Sequence, residues 1–137
     1  MMHSRYKRES KIVWPTVSIV FPNFNGGSRA LECVQSITNL NYPRDLIRVY
    51  LVDNDSSDGS EKKTKKHFPS VKVIKMKNNL GFAKAVNIGI ESSTGEYILV
   101  TNNDVVFGEN SLKKLLEVLT KTPKVGIVGP EGLKYNF

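Results

Sequence analysis

Apolar positions along the chain fall into short runs that alternate with segments of helical pattern. Runs rich in β-branched and aromatic residues predict strands at Thr16–Phe21, Ile47–Val52, Val71–Met76, Tyr97–Thr101 and Val125–Val128. Helices are predicted from about Ser28, over Ser60–His67, over Gly81–Ser92, and behind the N-cap Asn110, where Leu112, Leu115, Leu116 and Leu119 share one face. This alternation predicts an α/β fold, with a mostly parallel sheet and helices on both faces.

The N-terminal segment lacks this pattern. Residues Met1–Pro15 are basic and show little periodicity, which predicts a basic tail over 1–15 and one domain over 16–137. In that domain, polar clusters directly follow Phe21, Val52 and Thr101, at the carboxyl ends of predicted strands. Open α/β sheets bind ligands at that edge, so the three loops are expected to form one site.

Composition narrows the range of partners. With 20 Lys and Arg against 13 Asp and Glu, the 137-residue chain has a formal charge of +7, which favours nucleotide phosphates, nucleic acid or an anionic membrane face. Eight lysines lie between Lys62 and Lys84, but the first four surround their predicted helix instead of lining one side, so nucleic acid is not an expected partner. The single cysteine, Cys33, excludes an internal disulfide and favours a cytoplasmic protein. No apolar run reaches the ~18 residues of a membrane-spanning helix.

Asp104 is the candidate for metal chemistry, because it follows an apolar strand that carries no charge. A carboxylate in that position needs a cation or donors, and Mg²⁺ or Mn²⁺ shared with ligand phosphates would supply them. The alternative is a loop aspartate that caps the next helix or turn. The neighbouring Asn102 and Asn103 offer donors and acceptors suited to the hydroxyls of a sugar.

The other two clusters suit a nucleobase. Asp53 is expected to accept a hydrogen bond from a base N–H, while Ser57 or Asp58 caps the following helix. The Pro22–Gly27 segment adds an aromatic face at Phe24 for stacking. Neither a G-x-G-x-x-G after the first strand nor a P-loop is present in the sequence, which disfavours a dinucleotide-binding Rossmann domain and a P-loop NTPase.

Six segments in order carry a resemblance to a known family. They are V-S-I-V-F-P-N-F-N-G, Tyr42-Pro43, V-Y-L-V-D-N-D-S-S-D-G-S, N-N-L-G-F-A-K-A-V-N-I-G-I, T-G-E-Y-I-L-V-T-N-N-D-V-V and V-G-I-V-G-P. Together they resemble the nucleotide-sugar-binding half of family 2 glycosyltransferases, inverting enzymes with the Rossmann-like GT-A fold, particularly the rhamnosyltransferase-like branch. The resemblance covers Thr16 to about Leu133.

The resemblance implies a role for each cluster. Pro22, Asn23 and Phe24 would line the base pocket, and Asp53 would hydrogen-bond the base. Asp104 stands in the D-x-D-like motif as the metal ligand, where Mg²⁺ or Mn²⁺ would offset charge on the departing nucleoside diphosphate while an acceptor hydroxyl attacks with inversion. The full set of expected nucleotide-sugar-binding residues is Pro22, Asn23, Phe24, Asn25, Asp53, Asn54, Asp55, Asn78, Gly81, Lys84, Asn102 and Asn103.

The implied partners are a nucleotide-diphosphate sugar and a glycan or lipid-linked acceptor, as in cell-envelope polysaccharide synthesis. We also expect the basic tail and Trp14 to contact the cytoplasmic face of the membrane, and the chain to form a homo-oligomer.

No acidic residue after Asp104 matches the family's general base, so the chain is expected to end before the acceptor half. A fragment is favoured over a stand-alone donor-binding module. A basic module on nucleic acid or membrane stays as an alternative, and a nucleotidyltransferase is disfavoured because Pro22–Gly27 has no cation.

Overall fold

The computed structural model describes residues 13–130 of the chain, so the predicted basic tail lies almost entirely outside the described residues. Strands and helices alternate as expected. The strands are β1 (Val17–Asn23), β2 (Ile47–Asp53), β3 (Lys72–Lys75) and β4 (Tyr97–Val100). The helices are α1 (Gly27–Thr38), α2 (Ser60–His67), α3 (Phe82–Glu91) and α4 (Ser111–Lys121), with a short 3₁₀ turn at Arg44–Leu46.

The sheet has the order β3-β2-β1-β4, and every pair of neighbouring strands is parallel. The register of β1 on β2 runs from Val17 opposite Ile47 to Asn23 opposite Asp53. Both strands therefore end at the same level, with an asparagine and an aspartate side by side. Beyond β4, Thr101 N donates to Val20 O at 3.0 Å, and the chain then continues past the end of β1.

Helices cover both faces of the sheet, which confirms the predicted fold class. Alternate residues of β1 divide between the faces. Val17, Ile19 and Phe21 belong to the main core, where α1 and α4 contribute a further set of buried side chains, Val34, Ile37, Leu112 and Leu116. Val20 faces α3, whose Gly89 lies against Val20 and Val52.

One predicted strand is absent from the residues that the structure describes, and the boundaries of the others shift by one or two residues. The strand expected at Val125–Val128 is wrong, because residues 125–130 form no strand and Ile127 is 92% exposed. A β-branched run becomes a strand only where a neighbour can pair with it. In contrast, β1 extends through Pro22 to Asn23, since the parallel partner continues alongside it.

The start of the described chain is anchored by aromatic packing. Trp14 meets Tyr42 edge-on at 5.2 Å between ring centroids, and Lys113 Nζ lies 5.0 Å from the Trp14 ring centroid. Tyr42 Oη donates to Pro15 O at 2.5 Å. The Trp14 ring is thus half-buried against the protein. Across residues 13–130, no helix combines the length and apolar character that crossing a bilayer requires.

Gly89 tests the tight packing of α3 on the sheet. Alanine at this position favours the helix by up to ~1 kcal/mol, but its Cβ would overlap Val20 Cγ1 and touch Val52 Cγ2. Because overpacking of a core costs about 1–3 kcal/mol, we expect Gly89→Ala to lower the free energy of unfolding in urea. Gly108→Ala, where the added Cβ meets open space, is the control and should unfold at the wild-type midpoint.

Candidate functional site

A cleft of about 450 Å³ opens at the carboxyl edge of the sheet. That volume is within the range of small-molecule sites. It receives residues from the ends of β1, β2 and β4 and from the loop before α3, so the loops predicted to converge do so. Its lining residues are Pro22, Phe24, Asn54, Asn79, Gly81, Phe82, Asn102, Asn103 and Asp104.

Two aromatic side chains are exposed at the cleft. Phe24 is 51% exposed and Phe82 is 55% exposed. Phe24 follows β1, whereas Phe82 is the first residue of α3, behind Gly81. Gly81 has a φ of 81°, a backbone conformation that other residues adopt with strain. Exposed rings of this kind offer faces on which a planar ligand group can stack.

Asn54 holds the loop before α3 against the end of β2. Its Nδ2 donates to Asn79 Oδ1 at 2.8 Å and to Gly81 O at 3.3 Å, and its Oδ1 accepts from Leu80 N at 2.9 Å. Asn79 Oδ1 also accepts from Gly81 N at 2.9 Å. The Asn79 amide nitrogen has no hydrogen-bond partner among residues 13–130 and is left as a donor at the cleft.

Asp53 does not reach the cleft. Its side chain is fully buried, Oδ1 accepts from Asn23 Nδ2 at 3.2 Å, and Oδ2 accepts from Ser56 N at 3.3 Å. The nucleobase contact expected for Asp53 from the sequence stays a prediction. Residues one apart on a strand point to opposite faces, so Asp53 shares the buried face of Leu51, and Asn54 faces the cleft.

Other expected site residues also lie outside the cleft. Asn23 is fully buried at the end of β1. Asn25 Oδ1 accepts from Ser57 N at 2.9 Å, which ties the two loops together. The remaining three, all exposed and absent from the lining, are Asp55, Asn78 and Lys84. Phe82 and Asn79 were not expected in the lining of the cleft. The signal in the sequence is their position on either side of Gly81, close to the start of a helix.

Asp58 fills the predicted capping role and joins two helices. Its Oδ1 accepts from Ser60 N at 2.9 Å and from Ser60 Oγ at 2.7 Å, while Oδ2 accepts from Gly27 N at 2.8 Å. Desolvation raises the pKa of Asp58, but the hydrogen bonds from Ser60 and Gly27 outweigh it, so the pKa lies below its ordinary value. Ser57 bonds Asn25 instead of a helix end.

Asp104 is exposed in the cleft and forms no salt bridge with any part of the chain that the structure describes. The helix that follows has Asn110 as its N-cap, whose Oδ1 accepts from Asn41 Nδ2 at 3.1 Å, so Asp104 caps no helix. Between residues 13 and 130, no three His, Cys, Asp or Glu side chains cluster as a metal site. A single carboxylate fits Mg²⁺ or Mn²⁺ that takes its other ligands from substrate phosphates and water.

Cys33 lies beneath this segment. Its Sγ is 3.5 Å from Asn102 O, and burial, followed by the negative charge of Asp104, raises the pKa of the thiol to about 12. The thiol is therefore neutral at physiological pH and is not a nucleophile.

Two of the eight lysines between Lys62 and Lys84 are bound within the fold. Lys65 Nζ donates to Pro69 O and Val71 O, both at 2.9 Å. Lys75 pairs with Glu61 at 3.1 Å.

The family model for Glycosyl transferase family 2 matches residues 18–131. The chain belongs to glycosyl transferase family 2. The resemblance drawn from the sequence motifs is thereby confirmed. The match includes the whole lining of the cleft and every strand and helix of the fold except the first residue of β1, Val17.

Named relatives of this family 2 chain are glycosyltransferases. Over 116 residues it is 30% identical to glycosyltransferase GlyG of Streptococcus pneumoniae, covering 82% of this chain and 38% of GlyG. It is also 30% identical to an N-acetylglucosaminyl-diphospho-decaprenol L-rhamnosyltransferase of Mycobacterium tuberculosis, covering 61% of this chain and 31% of that protein. The chain thus spans about a third of the length of these two relatives.

A solved structure shares the fold. Mannosyltransferase PcManGT from Pyrobaculum calidifontis, in complex with GDP-Man and Mn²⁺, aligns with a TM-score of 0.75 and 26% identity. The alignment covers 84% of this chain and 35% of PcManGT. The four-stranded parallel sheet with its helices is therefore a GT-A arrangement.

The lowered pKa of Asp58 predicts a pH-dependent contribution to stability. A carboxylate with a depressed folded pKa stabilises the protein above its unfolded pKa, and this stabilisation is lost as pH falls through the folded value. Replacing Asp58 by Asn should lower the free energy of unfolding near neutral pH by about 1 kcal/mol, since an amide has one acceptor oxygen and cannot accept from both Ser60 and Gly27. The difference in the free energy of unfolding between Asp58→Asn and wild type should shrink as the pH falls below 3.8, the ordinary pKa of an aspartate.

Urea titrations of both proteins across that range measure the difference. Asp45→Asn, which changes an exposed carboxylate in the 3₁₀ turn, is the matched control. A stability difference between Asp58→Asn and wild type that is constant with pH would contradict the prediction.

Proposed function

We propose that this chain is the donor-binding part of a glycosyltransferase that transfers a sugar from a nucleotide-diphosphate sugar to a glycan or lipid-linked acceptor. The observation that carries the proposal is the composition of the cleft. Aromatic rings, side-chain amides and one unpaired carboxylate meet at the carboxyl edge of a parallel sheet. The structural similarity to PcManGT, which was solved with GDP-Man and Mn²⁺, supports it.

Each wall of the cleft has a part in holding the donor. Phe24 and Phe82 supply faces for the base, and the Asn79 amide donates to an acceptor on the base or ribose. Asn102 and Asn103 lie beside Asp104, where they bond the hydroxyls of the ribose or the sugar. The net charge of +7 attracts the anionic donor to the protein.

Asp104 would hold a divalent cation, Mg²⁺ or Mn²⁺. When bound, the cation would offset negative charge on the nucleoside diphosphate as it leaves. The carboxylate supplies one ligand and the diphosphate supplies others, so metal and donor bind together. The protein's own contribution is to fix the place of that carboxylate through the Asn102–Asp104 segment.

The reaction in this proposal is direct displacement with inversion at the anomeric carbon. A general base must take the proton from the acceptor hydroxyl. Asp104 is the one carboxylate in the described lining of the cleft, and it is assigned to the metal. We therefore place the base outside this cleft, in the part of the active site that binds the acceptor.

Donor binding is testable on the chain itself by calorimetry with UDP-, GDP- and dTDP-sugars. We expect one class to bind in the presence of Mn²⁺ and to lose affinity when EDTA removes it. Asp104→Asn should weaken Mn²⁺-dependent binding by about tenfold or more, equivalent to at least about 1.4 kcal/mol. Asp45→Asn, an identical change in a turn before β2 at the opposite edge of the sheet, should bind like wild type.

Other outcomes would contradict the proposal. Equal affinity of Asp104→Asn and wild type with and without Mn²⁺ would remove the metal assignment. Binding to polyanions that falls steeply with salt and is unchanged by Asp104→Asn would favour a basic interaction module.

A further inference from the structure

The end of β1 carries a buried amide that contacts two other segments, the connection from β2 to α2 and the chain after β4. Asn23 is fully buried, and its Nδ2 lies 2.8 Å from Ser60 Oγ, 3.1 Å from Ser56 Oγ and 3.2 Å from Asp53 Oδ1. Its Oδ1 accepts from Asn103 Nδ2 at 3.0 Å. One amide thus links the loops after β1 and β2 with the segment that carries Asp104.

Neighbouring acceptors fix which end of the Asn23 amide faces which loop. Asp53 Oδ1 accepts from the NH₂ end of Asn23 at 3.2 Å. The contact with Ser60 requires the same orientation of the Asn23 amide, because the Ser60 hydroxyl already donates its proton to Asp58 Oδ1 at 2.7 Å. The Ser60 oxygen must then accept from Asn23.

The orientation of the Asn23 amide determines that of the Asn103 amide in the cleft. The NH₂ group of Asn23 is held by β2 and α2, so its Oδ1 faces Asn103. Asn103 must therefore donate a hydrogen bond from its own NH₂ group to Asn23 Oδ1. The Asn103 carbonyl oxygen is then the end without a partner in the part of the chain that the structure describes, and Asn103 lines the cleft.

We propose that Asn23 is a positioning residue that fixes the Asn103 amide with its oxygen available to the cleft as an acceptor, so that this subsite selects a ligand hydroxyl. The inference rests on the proposed binding of a nucleotide-diphosphate sugar, whose hydroxyls belong to the ribose or to the transferred sugar. The ligand chemistry in both cases is a hydroxyl donor.

Gly26 lies next to the amides of Asn23 and Asn103, so a substitution at this position can test their contact. A Cβ at this position would collide with Asn23 Oδ1 and with Asn103 Nδ2. The backbone of Gly26 is in the ordinary right-handed helical region, with φ −73° and ψ −15°. Alanine is therefore compatible with the backbone conformation at this position, but its Cβ would overlap the two amides. Gly26→Ala thus probes the contact between Asn23 and Asn103.

The measured quantity is the ratio of dissociation constants for a deoxy analogue and its parent ligand. In the presence of Mn²⁺, the ribose arm compares UDP and GDP with their 2′- and 3′-deoxy forms, and the sugar arm compares a nucleotide sugar with its deoxy-sugar forms. Wild type should discriminate against one analogue by about tenfold, the effect of one hydrogen bond. The arm in which this occurs identifies the hydroxyl.

Variants separate positioning from simple contact. Gly26→Ala and Asn103→Ala should bring the ratio close to one, and Gly108→Ala should keep the wild-type ratio. Asn103→Asp keeps an acceptor in the cleft but cannot donate to Asn23, so it should also lose discrimination. Both ligands of a pair carry the same charge, so the ratio is insensitive to the added carboxylate. Full discrimination by Asn103→Asp or by Gly26→Ala would overturn the inference.

The amide orientation has a readout that needs no ligand. Side-chain ¹⁵N–¹H spectra of the free chain should show amide protons of Asn23 that exchange with solvent far more slowly than those of the exposed Asn78. Equal exchange would overturn the network. If no nucleotide binds to wild type, the proposed function fails while these spectra still decide the orientation. Binding without discrimination retains the function and removes the inference.

Discussion

The structure of the site depends on the hydrogen bonds between Asn23 and the loop after β2. Parallel pairing brings Asn23 opposite Asp53 at the point where both strands end, and both side chains are fully buried. A buried polar group that loses its partner costs about 1–3 kcal/mol. The two loops therefore keep a fixed relation, and the chain segment that reaches Asn103 is held to them by the same amide.

The sequence predicted most of the fold, and it predicted the location of the site better than the residues within it. Alternating periodicity was sufficient for the parallel sheet and its helices, and the strand ends located the cleft. Side-chain direction was not available from periodicity, because a shift of one residue exchanges the buried and exposed faces. Periodicity therefore did not distinguish Asn54 and Asn79, which line the cleft, from the neighbouring Asp53 and Asn78, whose roles stay predictions.

The last predicted strand pairs with neither edge of the sheet. The β3 edge carries Lys72 and Lys75, charges that discourage pairing with another strand. The β4 edge carries the uncharged sequence Y-I-L-V, with Ile98 43% and Val100 41% exposed. A strand at 125–128 would have to lie beside one of them, yet this segment lies along an apolar groove between β4 and α4. Strand propensity is a statement about a residue, whereas pairing requires a partner that local sequence does not specify.

The placement of charge in the site favours coupled binding of metal and donor in the proposed function. Asp53 and Asp58 are acidic residues committed to the loops, where they accept hydrogen bonds within the fold. Cys33 is kept as a neutral thiol by burial and by the charge of Asp104. Among residues 13–130, one carboxylate is then left in the lining of the cleft. This is too little charge to hold a divalent cation firmly but enough to complete the coordination of a cation that arrives with a diphosphate. Because each partner supplies ligands for the other, the affinity for either should rise when both are present.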